Sequence, residues 1–201
     1  MENQKYLDDI REIKELMNRS SKFLSLSGLS GVFAGFYALA GVVMAEWAFG
    51  QYRTGAWTRE QVFFFLIFLA FAVLVLSLGT ALWFSYRKAQ KRQYKMWDVP
   101  ARRMVAASLV PLLTGGLWSL ILVLHGDYGL LVPSMLVFYG LSLTTASYYT
   151  YGMVYYLGLA EILTGLLALL WPGYAVWWWA LGFGVFHILY GLLMYVKFDR
   201  H

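Results

Sequence analysis

A chain of 201 residues that is 60% hydrophobic and only 13% charged, with a net charge of +5 and no cysteine, has too little polar surface to cover a water-soluble globule. Soluble domains run nearer 45–50% apolar and about 25% charged. The lack of cysteine excludes disulfides, thiolate metal sites and a cysteine nucleophile. These numbers point to an integral membrane protein, read as an all-α polytopic bundle of six transmembrane helices. Its expected parts are a cytoplasmic amphipathic helix (residues 1–22), the bundle (23–196) and a short cytoplasmic tail (197–201).

The N-terminal segment is the one soluble-type element. Tyr6, Ile10, Ile13 and Met17 recur at spacings of four, three and four residues, which makes one apolar seam on a helix. Arg11 with Glu15, and Glu15 with Arg19, form opposite-charge pairs one turn apart. Two readings stay open: a helix lying on the inner leaflet or under the bundle, and a docking helix for a cytoplasmic protein. Its mixed charge argues against simple lipid binding, which favours faces rich in Lys and Arg. No cleavable leader is expected, because no small-residue cleavage site follows a short apolar core.

Six stretches then reach the length of about 20 apolar residues that a bilayer requires, near residues 23–47, 62–86, 102–124, 130–150, 153–171 and 175–196. Backbone groups in hydrocarbon must be paired within the segment, so each is read as a helix. Runs such as Val62-Phe63-Phe64-Phe65-Leu66 lack the alternation of a barrel strand. In span one, Ser27, Gly31 and Gly35 form a face of small residues suited to close packing, either within the chain or between copies in a homo-oligomer. After span two come Arg87, Lys88, Lys91, Arg92 and Lys95, a basic loop read as a lipid or partner contact. In span three, Pro111 should kink the helix and free a carbonyl near Thr114. Span four carries Ser142, Thr144 and Thr145. The short turns after spans four and five carry tyrosines and tryptophans, as membrane interfaces do.

Basic residues set the orientation. Of the sixteen Lys and Arg residues, all but Arg53 and Arg59 fall in the N-terminal segment, the loop from Arg87 to Arg103, or the tail. This bias places both termini in the cytoplasm, with the inner membrane of a bacterium as the expected location. It assigns the net charge to topology and to an anionic inner leaflet rather than to nucleic acid. Glu46, Glu60, His125 and Asp127 fall at the opposite ends of the spans, where solvation explains them.

Spans three and four parallel spans five and six. Leu113-Thr114-Gly115 aligns with Leu163-Thr164-Gly165, and Tyr139-Gly140-Leu141 with Tyr190-Gly191-Leu192, at offsets of 50 and 51 residues. The pattern predicts three hairpin repeats. The run Gly165-Leu166-Leu167-Ala168-Leu169, with Pro172 and Gly191-Leu192-Leu193, resembles the hairpin unit of the HdeD-like acid-resistance membrane protein family over about forty residues. That resemblance implies a small six-span inner-membrane protein linked to stress or acid tolerance, and not an enzyme. The charged N-terminal segment and the long basic loop depart from the family pattern.

Ionisable residues within a span are costly and are functional candidates by default. Glu161 in span five and His187 in span six lie eight and nine residues from the inner ends of their spans, about 12–14 Å deep at 1.5 Å per residue. Antiparallel neighbours bring them to one layer. Thr164, Thr114, Ser142 and Thr144 reach similar depths, so a small polar pocket is expected in an apolar bundle. A Glu–His pair can hold one proton and release it as conditions change. The alternatives are a permanently satisfied bond between two spans, or a ligand site. One His and one Glu are too few for a metal, and no cofactor is expected.

No paired-carboxylate motif, HExxH or nucleophile elbow is present, so an enzyme ranks last. The leading reading is a membrane sensor, scaffold or small-ligand-binding protein that signals to or docks a cytoplasmic partner. A small channel or proton-linked secondary transporter is the alternative, although little polar lining marks a route.

Overall fold

The computed structural model describes Gln4, Tyr6, Ile10, residues 22–93 and residues 95–200. Among these residues, six helices are long and apolar enough to cross a membrane: α1 (Gly28–Arg53), α2 (Arg59–Lys91), α3 (Val99–His125), α4 (Tyr128–Ser147), α5 (Met153–Leu170) and α6 (Pro172–Asp199). No strand occurs among the described residues. The helices present Phe64, Phe68, Leu113 and Leu124 outward with most of their surface uncovered. A face so apolar belongs against lipid rather than water. The chain is a helical membrane protein.

Most boundaries shift by a few residues from the sequence expectation, and two of the shifts have a local reason. Span one was expected from Phe23, but its helix begins at Gly28, after an extended strip of chain. Phe23, Ser25 and Ser27 of that strip are buried, so its backbone groups need partners. Phe23 N donates to the Tyr149 carbonyl at 2.6 Å. Thr150 Oγ1 donates to Phe23 O at 2.8 Å, Tyr151 Oη to Leu24 O at 2.7 Å and Lys88 Nζ to Leu26 O at 2.7 Å. The turn before α5 and the end of α2 thus take the carbonyls that helical amides would otherwise fill.

Span two was expected to end at Tyr86. Instead α2 runs 33 residues to Lys91, about 50 Å at 1.5 Å per residue, well beyond a hydrocarbon core of about 30 Å. Arg87, Lys88, Ala89, Gln90 and Lys91 are all good helix formers, so nothing stops the helix there. It ends at the Arg92 C-cap, followed by Gln93 with a left-handed φ of 55°. Three of the five cations assigned to a loop therefore stand on a helix. At its other end, Thr58 and Gln61 form a reciprocal capping box, the arrangement that satisfies two otherwise orphaned amides.

α1 packs on α2 and α6, and α4 packs on α3 and α5. Glycines make the inner crossings. A Cβ on Gly140 would lie 2.6 Å from the Gly158 carbonyl, and one on Gly35 would lie 2.6 Å from the Gly184 carbonyl. The α4–α5 and α1–α6 pairs are therefore backbone-to-backbone contacts. The small-residue face of α1 is occupied within the chain by α6. Gly115 and Gly165, aligned by the sequence repeat, both meet α4: Gly115 at Phe138, Gly165 at Pro133 and Val137.

Pro111 lies inside α3. It has no N–H to give the Ala107 carbonyl one turn earlier. Thr145 Oγ1, from α4, donates to that carbonyl at 3.2 Å, and Ser142 Oγ donates to the next one, Ser108 O, at 3.1 Å.

α6 is one helix of mixed winding. It is α-helical over Ala175–Trp179, π-helical over Ala180–Phe186, α-helical over His187–Met194 and π-helical again over Tyr195–Asp199.

Candidate functional site

Glu161 sits mid-way along α5. Gly158 and Gly165, one turn to either side, lie against the backbone of α4. The clamp orients the helix so that Glu161 points toward α6, and its side chain has no solvent exposure. A Cβ on Gly182 would come within 2.5 Å of Glu161 Oε2 and closer still to Leu136. The bare glycine is what leaves room for the carboxyl group beside the π-helical turn.

His187 follows that turn. Its Nδ1 lies 3.1 Å from the Gly182 carbonyl and 3.4 Å from Glu161 Oε1. Its Nε2 lies 2.8 Å from the Tyr139 hydroxyl of α4. A carbonyl only accepts, so Nδ1 bears a hydrogen. With a neutral ring, Nε2 accepts from Tyr139. With a charged ring, Nε2 donates to the Tyr139 oxygen. The Tyr139 ring stacks on the imidazole at 5.5 Å between centroids, and Phe183 lies 5.2 Å from Tyr139. These rings shut the imidazole into an aromatic wall.

Among the described residues, neither carboxyl oxygen of Glu161 has a hydrogen bond, and its one polar approach is the His187 ring nitrogen. An unpaired ion in such a place is prohibitively costly. The group is therefore held either as a neutral acid beside neutral imidazole or as a carboxylate beside imidazolium. Both forms carry one exchangeable proton on the pair: in the first it is on a carboxyl oxygen of Glu161, in the second on His187 Nε2, facing the Tyr139 oxygen, while Nδ1 keeps its hydrogen in both. Among the described residues, no third His, Asp or Glu completes a metal-ligand set with them.

The structure brings together only part of the expected polar layer. Glu161 and His187 meet. Thr164 is buried but returns its hydroxyl to Ala160 O at 2.8 Å. Thr144 donates to Leu141 O in its own helix at 2.8 Å and sets its methyl against Gly158. Ser142 serves the proline-opened turn of α3. Thr114 is on an exposed face of α3 and bonds Val110 O at 2.8 Å. The three threonine hydroxyls go to backbone carbonyls because a Thr in an apolar helix finds its nearest acceptor one turn back. Tyr139 takes the place expected for them. Its signal was a tyrosine in mid-span, away from the interfacial belts.

A second polar cluster lies at the basic end of the molecule. Lys88 Nζ is 2.7 Å from Asp199 Oδ1, and both side chains are only 9% exposed. Lys88 also donates to Leu26 O and lies 3.1 Å from Tyr151 Oη. The other oxygen of Asp199 accepts from Gly28 N at 2.8 Å and from Ser27 Oγ at 3.1 Å, capping the start of α1 where an anion is favoured. Arg87, Lys88, Lys91 and Arg92 share an open cavity of about 470 Å³ there.

Of the N-terminal seam, Tyr6 and Ile10 are helical and exposed, while Ile13 and Met17 lie outside the described residues. Comparison with protein-family models, curated proteins and solved structures finds no match to this chain in any of the three.

Proposed function

We propose that this protein is an integral-membrane sensor, scaffold or small-ligand-binding protein in which the Glu161–His187 pair holds one exchangeable proton. The observation that carries the reading is the fully buried Glu161 carboxyl group with no hydrogen bond and a single imidazole neighbour. A purely structural pair would be expected to saturate its oxygens, because an unsatisfied buried acceptor is destabilising. The titratable side chains reaching His187 are Glu161 from α5 and Tyr139 from α4.

The output runs along α6. His187 stands after its first π-helical segment, and Asp199 closes its second, bonded to Lys88 and to the start of α1. π-helical turns recur at functional sites, and rewinding one to an α-turn rotates everything beyond it by one residue. A change of charge at His187 is thereby felt at the basic end. In this reading both termini are cytoplasmic, the basic end faces an anionic inner leaflet, and the N-terminal amphipathic helix docks a cytoplasmic partner. Three hairpin units, a stress- or acid-linked role in a bacterial inner membrane, and a homo-oligomer belong to the same proposal.

The test is a pH titration of the His187 ring nitrogens by NMR, on selectively labelled protein in lipid nanodiscs. The wild type is expected to show a pH-dependent shift that Glu161→Gln removes. An identical titration in both proteins would overturn the relay.

A further inference from the structure

We infer that the open cavity at the basic end is a binding site for a phosphate-bearing anion, carried either on an anionic lipid headgroup or on a soluble phosphate. It is distinct from the Glu161–His187 site and does not depend on that reading. Its volume is about 470 Å³, which holds a phosphate with its attached glycerol. Arg87, Lys88, Lys91 and Arg92 all line it and, among the described residues, one acid, Asp199. Lys88 is paired with Asp199, and Arg87 and Lys91 add positive charge to the same volume beyond that pair.

The supports are fixed rather than floppy. Arg87, Lys88 and Lys91 project from the rigid end of α2. The Arg87 guanidinium lies over the Trp83 ring at 4.5 Å, and Arg92 Nη2 donates to Phe198 O at 2.8 Å. Planar guanidinium groups held in this way match phosphate oxygens in pairs. Lys88 and Asp199 form the cavity's inner wall. Ser27 and Tyr195 also line it, and Leu29 and Phe84 add apolar surface. A phosphate on the cations with glycerol and acyl carbon on Leu29 and Phe84 fits that division of polarity.

The experiment is calorimetric titration of the full chain in neutral detergent with short-chain phosphatidylglycerol, short-chain phosphatidylcholine and inorganic phosphate. Two variants lose the same charge at the same end: Arg87→Gln/Lys91→Gln inside the cavity, and Arg102→Gln/Arg103→Gln outside it. All four side chains are exposed, so the fold is expected to survive, with helix content checked by circular dichroism. Phosphatidylglycerol is expected to bind more tightly than phosphatidylcholine. The cavity variant is expected to weaken it roughly thirtyfold, about fivefold for each basic residue removed, while the outer variant leaves it nearly unchanged. Binding of inorganic phosphate with the same dependence on Arg87 and Lys91 would also support the site and identify its ligand as soluble. Equal losses in the two variants, or no preference for either anion over phosphatidylcholine, would overturn the inference.

Discussion

Lys88 and Asp199 are an ion pair held almost out of solvent, and removing one partner strands the other. Asp199→Asn is expected to destabilise the protein by about 3 kcal/mol, in the range for breaking a buried pair. Adding Lys88→Met is expected to recover much of that loss, because no buried charge then remains. Unfolding in mixed micelles would measure both, and additive losses would contradict the pairing. At the central site, Tyr139→Phe leaves His187 Nε2 without its partner, at a cost of about 1–3 kcal/mol. The same unfolding assay measures that loss. The sequence made Glu161 and His187 visible because an ionisable group in an apolar run has no bland explanation. Tyr139 was hidden by the opposite circumstance: tyrosine is common in membrane proteins, and only its depth sets this one apart. The threonines misled for a related reason. Depth can be counted along a helix, but a hydroxyl satisfied by its own backbone need not face the pocket.

Among the elements, α3 and α4 are coupled through Pro111. Thr145→Val is expected to cost about 1–2 kcal/mol by leaving the Ala107 carbonyl unsatisfied. In a Pro111→Ala background the helix supplies its own donor, so the same change is expected to cost much less. A double-mutant cycle measures that coupling, and strict additivity would contradict it. Gly182→Ala places a methyl group against Leu136 and Glu161 and is expected to destabilise by about 1–3 kcal/mol through overpacking. Gly79→Ala, where a Cβ meets nothing within 4 Å, is expected to be neutral or stabilising on helix propensity. The freed carbonyl at Pro111 was legible from the missing N–H. The π-helical turns of α6 were not, since apolar runs such as Ala180–Phe186 carry no residue signal that separates a π-turn from an α-turn. The extension of α2 was legible in principle, because Arg87 to Lys91 contain no helix breaker, but a hydropathy boundary at Tyr86 masked it.

Across the whole molecule, six apolar runs separated by more polar connections were enough to give six spans. Which spans touch was not, because every span is apolar and hydropathy does not choose neighbours. Backbone contacts at Gly140 with Gly158, and Gly35 with Gly184, decide that choice, and glycines spaced along a helix do not name their partners. The resulting core joins α1, α4, α5 and α6 around one Glu–His pair, with α6 leading from it to the Lys88–Asp199 contact. The account rests on that pair sharing one exchangeable proton in the apolar interior. Infrared difference spectroscopy of the protein in nanodiscs, taken across a pH series with Glu161→Gln to assign the carboxyl band, measures this directly. A Glu161 band that changes with pH, and changes differently when His187 is replaced by Ala, is the predicted result. A band constant across the series and indifferent to His187 would contradict the account.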